Sequence, residues 1–205
     1  MEKETFLQLI KDYSEITLVG PMPFSEAIER DEPIIYVDGG LNHRIDDSHP
    51  HLSLGDNDSN ITDQKLDILL ERDKDFSDLS YALDLIPFNI EIVTLLGFIG
   101  GRKDHEFLNF GAIYNFLEKR DEPCLVFIDD EFIAHSPGDF ILEHHGLFSL
   151  ITFDDQEITL EGDCKYKLES PTLIRKLSSR PLSNQASGSI HIQSQKPLFI
   201  YLQDS

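Results

Sequence analysis

Three polar clusters in the chain combine residue types that bind phosphate and divalent metal ions. They span residues 55–59 (GDNDS), 74–78 (KDFSD) and 100–105 (GGRKDH). Carboxylate oxygens are the hard ligands that Mg²⁺ prefers. Adjacent glycines let backbone N–H groups approach an anion, and Arg and Lys supply cationic donors. Together the three clusters predict a site for a metal-bound phosphate compound.

Each cluster also has a purely structural interpretation. Asp58 and Ser59 could form a turn, and Asp75 or Ser77 could cap a helix. The glycine pair at residues 100–101 could be a tight turn ahead of a helix. Acidic pairs are common in a chain with 38 Asp+Glu against 17 Lys+Arg, so no single cluster decides between the two interpretations.

The combination of clusters favours the functional interpretation. If Asp56, Asp58 and Asp78 converge at one sheet edge, each pair of carboxylates repels by up to about 4 kcal/mol at 4 Å and an effective dielectric of 20. A divalent cation turns this repulsion into a binding site, and Arg102 and Lys74 add positive charge for phosphate. The formal net charge of −21 disfavours nucleic-acid binding. It does not exclude a nucleotide that binds together with Mg²⁺.

The elements around these clusters predict an α/β domain. Apolar runs at residues 15–20, 33–37, 51–54 and 90–98 predict strands, and helical spacing over 79–86 and 110–117 predicts helices. Strand, turn and helix in alternation are typical of a mainly parallel sheet, whose ligand site lies beyond the carboxyl ends of the strands. We therefore predict a Rossmann-like N-terminal domain over residues 1–122.

After residue 122 the pattern changes to short alternating runs separated by turn residues. The runs span residues 125–128, 131–134, 139–143, 147–153, 157–160, 189–193 and 198–202. This pattern predicts an antiparallel β-sandwich over residues 123–205. The fold class expected for the whole chain is α/β with a C-terminal β-sandwich.

Composition also narrows the cellular setting. No apolar run approaches the roughly 20 residues that a membrane span needs, and the N-terminus lacks the apolar block of a signal peptide. Cys124 and Cys164 fit no metal-ligand spacing and are expected to be reduced thiols. We expect a cytoplasmic protein without membrane or nucleic-acid partners.

The clusters belong to a set of motifs that resembles one family. Asp38-Gly39-Gly40 precedes the three clusters, and all four occur in the order and approximate spacing found in thiamine pyrophosphokinases. Residues 162–168 resemble that family's Gly-x-x-Tyr-x-Leu segment, and Ser183-Asn184 resembles its Ser-Asn pair. The resemblance implies a homodimer with active sites between subunits. It also implies a reaction of ATP with thiamine that gives AMP and thiamine diphosphate.

The resemblance further implies roles for single residues. Asp56, Asp58 and Asp78 would hold Mg²⁺ with Asp75 close by, and with Arg102 and Asp104 they form the expected catalytic set. Thiamine would contact Ser183 and Asn184. The nucleotide and its phosphates would be lined by Asp38, Gly39, Gly40, Lys74, Gly100, Gly101, Arg102 and His105. Arg44, one turn after the first motif, could reach a phosphate or could pair with Asp46 or Asp47.

Departures from the family pattern concern mainly the acceptor. Gln185 replaces a frequent Glu and Lys167 a frequent Pro, whereas Asn57 and Ser77 are milder changes, and the chain has no Trp. A pterin-type hydroxymethyl acceptor is therefore one alternative, and a non-catalytic nucleotide sensor is another. Asp104 or Asp78 could orient or deprotonate the acceptor hydroxyl, and neither is assigned as the base.

Overall fold

The computed structural model describes residues 1–25, 28, 32–44, 49–58, 61 and 65–204, and the chain divides into two compact units. The first unit comprises Met1–Phe116 and Val126–Asp129. The second comprises Leu117–Leu125 and Asp130–Ser205. The domain boundary predicted after residue 122 remains a prediction. The functions predicted for the two domains remain predictions.

The first unit is built around parallel strand pairs. Its elements are α1 (Lys3–Leu9), a 3₁₀ helix (Ile10–Asp12), β1 (Glu15–Val19), β2 (Ile34–Val37), a second 3₁₀ helix (Asp38–His43), β3 (His51–Gly55), β4 (Ile68–Leu69), α2 (Asp78–Asp84), β5 (Ile92–Leu96), α3 (Lys103–Glu118) and β6 (Leu125–Ile128). Its described strands lie in the order β6-β5-β1-β2-β3-β4. The pairs of β1 with β2 and β5, of β2 with β3, and of β3 with β4 are all parallel.

The apolar runs of the sequence explain this arrangement. All four residues of β2 are buried, as are four of the five in β1 and in β3, which is typical of parallel strands covered on both faces. Leu18 of β1 lies opposite Ile35 of β2 and Leu95 of β5. Because these strands run in the same direction, their carboxyl ends meet at one edge of the sheet.

The second unit is antiparallel throughout its described strands. They are β7 (Phe132–His135), β8 (Gly138–Ile151), β9 (Gln156–Cys164), β10 (Leu168–Ile174), β11 (Asn184–Ser194) and β12 (Leu198–Asp204). Their order is β10-β9-β11-β8-β12-β7. The longest ladder joins β11 to β8, from Asn184 opposite Phe148 to Ser194 opposite Gly138. A two-layered sandwich goes beyond this pairing order and stays a prediction.

The predicted α/β class is confirmed as a mixed α/β sheet fold, with one difference of emphasis. Antiparallel pairs predominate among the described strands, because the second unit contributes the longest of them. The finer Rossmann-like description stays a prediction. The prediction of two separate strands at residues 139–143 and 147–153 is wrong, because β8 runs without interruption through His144, His145 and Gly146. Within the described residues, no helix is long and apolar enough to cross a membrane.

Candidate functional site

A cleft of about 580 Å³ opens in the first unit at the carboxyl ends of its parallel strands. Asp38 directly follows β2, Asp56 follows β3 and Gly97 follows β5, and all three line the cleft. Pro21, two residues beyond β1, lines it as well. This is the edge at which parallel sheets bind ligands.

Three carboxylates meet in the cleft and are referred to below as the carboxylate triad. Asp38, Asp56 and Asp78 each offer one oxygen, and these oxygens all lie within 4.8 Å of one another. β2 and β3 are parallel neighbours, which brings Asp38 next to Asp56. Asp78 is the first residue of α2. The N-cap residue of this helix is Ser77, whose Oγ accepts a hydrogen bond from the Ser80 N–H.

Glycines permit the close packing beneath the triad. Gly55 has φ +151°, and a Cβ there would lie 2.8 Å from the Cα of Asp38. At Gly40 a Cβ would lie 1.9 Å from the carbonyl oxygen of Val19, so no side chain fits. Asp38 itself has φ 50°, a left-handed conformation that Asp tolerates better than most residues. Gly39 is also buried. The motif at residues 38–40 therefore places one carboxylate while it packs against the end of β1.

Lys74 partly neutralises the triad. Its Nζ lies 2.9 Å from Oδ1 of Asp78 and 3.7 Å from Oδ2 of Asp56. Burial opposes the charge of Lys74, but the hydrogen bond to Asp78 and the charges of Asp78, Asp56 and Asp38 together raise its pKa above the ordinary value. One ammonium beside three carboxylates leaves the site with an excess of acidic groups, which suits a divalent cation.

The triad differs from the metal set expected from the sequence. Asp56 and Asp78 were expected as ligands and do come together, whereas Asp38 was expected to contact the nucleotide. Asp58 lines the cleft and donates its N–H to Oδ1 of Asp56 at 3.1 Å, but it is not part of the triad. Asp75 is exposed and is not among the residues that line the cleft. Metal binding by Asp58 and Asp75 stays a prediction.

The glycine loop forms another wall of the cleft. Gly101, Arg102 and His105 line it, and their expected contact with the nucleotide stays a prediction. Gly100 has φ +97°, and its N–H donates to Oε2 of Glu106 at 3.3 Å. The loop that leads to helix α3 therefore includes a left-handed backbone conformation at Gly100, which favours glycine at this position.

An exposed ion pair orients Arg102. Its Nη2 lies 2.6 Å and its Nε 3.2 Å from the two carboxylate oxygens of Asp104. The hydrogen bond from Arg102 lowers the pKa of Asp104 to about 2. Asp104 is therefore ionised at neutral pH. It pairs with Arg102 and is not among the residues that line the cleft. Its membership of the expected catalytic set stays a prediction.

Arg44 lies outside the residues that line the cleft. Its Nη2 donates to Nε2 of His51 at 2.8 Å, and Nδ1 of that histidine lies 3.0 Å from the carbonyl oxygen of His49. Arg44 thus contacts a partner that the sequence did not suggest. The alternative partners Asp46 and Asp47 lie outside the described residues, and phosphate binding by Arg44 stays a prediction.

The two residues expected to contact thiamine belong to the second unit. Asn184 is buried, and its side chain accepts the N–H of Tyr166 at 2.9 Å and donates to the carbonyl of Tyr166 at 2.7 Å. Ser183 is exposed, has φ 54°, and donates its N–H to Oγ of Ser149 at 2.9 Å. Asn184 therefore links the two C-terminal motifs structurally, and a thiamine contact by either residue stays a prediction.

Several residues at the cleft carried no recognised signal in the sequence. Asn42, Glu106 and Asn109 line it, and Asn109 also donates to the carbonyl of Phe98 at 3.1 Å. Asp129 holds the backbone at the start of the glycine loop through three hydrogen bonds. In the sequence it stood out only as half of an acidic pair, and such pairs are common in this chain.

A protein-family model and several solved structures match the chain. The family model described as thiamin pyrophosphokinase, catalytic domain, matches residues 24–126, which is half of the chain. The solved thiamine pyrophosphokinase from Bacillus subtilis is 25% identical with a TM-score of 0.70, covering 93% of this chain and 100% of that one.

Two further solved structures share the fold. A thiamin pyrophosphokinase family protein from Enterococcus faecalis is 22% identical with a TM-score of 0.70, covering 94% of this chain and 100% of that one. The enzyme from Candida albicans is 14% identical with a TM-score of 0.68, covering 98% and 91% respectively. No curated protein sequence gives a significant match.

Proposed function

Because the chain belongs to the thiamin pyrophosphokinase family, we propose that it transfers the diphosphoryl group of ATP to the hydroxyl of thiamine, giving AMP and thiamine diphosphate. The family consists of ATP-dependent diphosphotransferases. The observation that carries the proposal is the carboxylate triad in the cleft, since Asp38, Asp56 and Asp78 all lie within the matched residues 24–126. The site therefore belongs to the part of the chain that the family model describes.

The triad fits Mg²⁺ as the metal. Three carboxylate oxygens within 4.8 Å form a hard donor set with excess negative charge, and Mg²⁺ is usually held by one or two carboxylates with water and phosphate oxygens. We therefore assign Asp38, Asp56 and Asp78 as the residues that would hold it. When bound, Mg²⁺ supplies charge neutralisation on the phosphate oxygens.

In the proposed reaction the thiamine hydroxyl oxygen bonds to the β-phosphorus of ATP. The bond from that phosphorus to the oxygen bridging the α- and β-phosphates breaks, and AMP leaves with the electron pair while the hydroxyl proton is released. Lys74 and Arg102 bind phosphate oxygens, and Arg102 is able to do so bidentately. Such transfers depend mainly on positioning and electrostatic stabilisation.

Asp104 is poorly suited to act as a strong base. Its pKa of about 2 means that it holds a proton weakly, and catalytic bases work best with a pKa near the operating pH. Asp78 is engaged by Lys74 at 2.9 Å. The proposal therefore assigns no general base, and a loose transition state with an alcohol nucleophile needs none.

The alternatives are less well supported. The family match favours thiamine over a pterin acceptor. A non-catalytic sensor would be expected to have lost carboxylates, yet the triad is complete. We further propose a Rossmann-like nucleotide domain, a C-terminal sandwich that binds thiamine, a homodimer and a cytoplasmic location. The last rests on the sequence, in which Cys124 and Cys164 fit no metal-ligand spacing and are expected to be reduced thiols.

Acceptor-dependent AMP release tests the function. Purified protein is incubated with ATP, MgCl₂ and either thiamine or a hydroxymethyl-pterin, and the products are separated by chromatography. We expect AMP and thiamine diphosphate in equal amounts with thiamine, and loss of both in Asp56→Asn. AMP release with the pterin but not with thiamine would contradict the proposed acceptor. Nucleotide binding without any AMP release would instead favour the sensor.

A further inference from the structure

Asp129 binds three consecutive backbone N–H groups at the end of β5. Its Oδ1 accepts the N–H of Gly97 at 2.6 Å, and its Oδ2 accepts those of Phe98 and Ile99 at 3.3 and 3.0 Å. Its own N–H donates to the carbonyl of Leu95 at 2.8 Å. Three hydrogen bonds of the half-buried carboxylate and one of the backbone N–H thus join Asp129, which directly follows β6, to the end of β5 and the loop after it.

Converging backbone N–H groups of this kind normally form an anion-binding concavity. Here the anion is a carboxylate of the chain itself. Hydrogen bonds from N–H groups to a charged carboxylate are shorter and stronger than neutral ones, and the 2.6 Å distance at Gly97 agrees with this. The N–H groups of residues 97–99 are therefore committed internally, and a phosphate must be bound by groups further along the loop.

The held segment is part of the cleft wall. Gly97 and Phe98 line the cleft, and Gly101 and Arg102 follow within four residues. The carbonyl of Gly97 also accepts the N–H of Met22, a residue that follows β1 and likewise lines the cleft. A shift of residues 97–99 would consequently displace the groups that face the nucleotide phosphates.

We infer that Asp129 is a positioning residue for the nucleotide-binding loop, an inference that rests on the proposed function. The carboxylate fixes residues 97–99, and through them it sets the position from which Gly101 and Arg102 meet phosphate. Asp129 is not among the residues that line the cleft. Its effect is expected on nucleotide affinity and on the rate of transfer, but not on thiamine affinity.

Two substitutions of Asp129 and a control substitution of the adjacent Asp130 provide the test. Asp129→Asn replaces one acceptor oxygen by an amide N–H that faces backbone N–H groups, while Asn still suits φ 46°. Asp129→Gly removes the carboxylate without backbone strain. The exposed Asp130 is the matched control, because Asp130→Asn removes the same charge one residue away.

We expect both Asp129 variants to bind α,β-methylene-ATP with Mg²⁺ about 10- to 100-fold more weakly by calorimetry, in line with losses seen when supporting residues or positioning are disturbed. The KM for ATP should rise and kcat fall, with the KM for thiamine unchanged. Hydrogen exchange at the amides of residues 97–99 should accelerate. Asp130→Asn should behave as the wild type in all three measurements.

Wild-type affinity for the analogue in a folded Asp129→Gly variant would overturn the inference. If neither variant folds, amide exchange in the wild type decides, because unprotected amides at residues 97–99 would also overturn it. A failure of the proposed function would look different. Wild-type protein would then release no AMP with thiamine, while analogue affinity would still depend on Asp129.

Discussion

Exchange of Asp38 for Asn tests whether this residue, rather than Asp75, belongs to the metal site. Asp38→Asn and Asp75→Asn each remove one negative charge near α2. Asp38 is a member of the carboxylate triad, whereas Asp75 is exposed and lies outside the cleft lining. Asn tolerates the left-handed backbone of Asp38 at φ 50°, so the variant is expected to fold.

The structure sets the size of the effect on stability. At the 4.8 Å limit of their separation and an effective dielectric of 20, two carboxylates repel by about 3.5 kcal/mol, and a closer pair repels more. Asp38→Asn removes two of the three pairs in the triad. Lys74 and solvent already offset most of this repulsion, so we expect the metal-free variant to gain only about 1 kcal/mol, or about 2–4 °C in Tm.

Metal affinity should change in the opposite direction. Losing supporting residues around a metal commonly weakens binding by about 10- to 100-fold, and losing a ligand should cost at least as much. Free Mn²⁺ counted by electron paramagnetic resonance during a titration without nucleotide measures this for wild type, Asp38→Asn and Asp75→Asn. Wild-type Mn²⁺ affinity in Asp38→Asn, or a loss confined to Asp75→Asn, would refute the triad as the metal site.

Three further predictions concern a charge, a hydrogen bond and a buried histidine. Lys74→Met should lower the stability of the metal-free protein by about 2 kcal/mol, because the negative charge of the triad then has no compensating ammonium. MgCl₂ should raise the Tm of this variant more than that of the wild type, and equal Tm shifts would contradict the prediction. Asn184→Ala should cost about 1–3 kcal/mol in urea unfolding, since the backbone groups of Tyr166 lose their partners, and an unchanged midpoint would count against it. Burial lowers the pKa of His135 to about 4, from an ordinary value of 6.5. As the pH falls, His135 of the unfolded chain therefore binds its proton before His135 of the folded chain does. The free energy of unfolding should fall between pH 6.5 and 4 by up to about 1.4 kcal/mol per pH unit. His135→Phe should reduce this slope, and an unchanged slope in that variant would disprove the assignment.

The sequence predicted much of the site because strand ends and polar clusters coincide. Asp56 and Asp78 stood out because each lies at the end of an element that apolar periodicity had already indicated. Asp38 was assigned to the nucleotide instead, because the family resemblance implied that role for residues 38–40. Its place in the triad depends on β2 lying beside β3. Chain order does not specify which strands become lateral neighbours.

The features that the sequence could not predict depend on tertiary contacts. Asp129 acts on residues about 30 positions away, and no local pattern identifies those partners. The interruption predicted within β8 came from two histidines and Gly146, which together looked like a turn. In the structure Gly146 continues the strand, and a Cβ there would lie 2.5 Å from the carbonyl oxygen of Gln203. Glycine in this strand reflects a close backbone approach rather than a chain reversal.

The glycines beneath the triad also limit how this site can be redesigned. A methyl group at Gly40 or Gly55 would collide with the backbone of Val19 or Asp38, so neither glycine beneath the triad can be replaced by a residue with a side chain. Variation in substrate preference must therefore come from residues on the walls, such as Met22, whose side chain is flexible. Libraries aimed at a new phosphoryl donor should leave the floor unchanged and sample the walls.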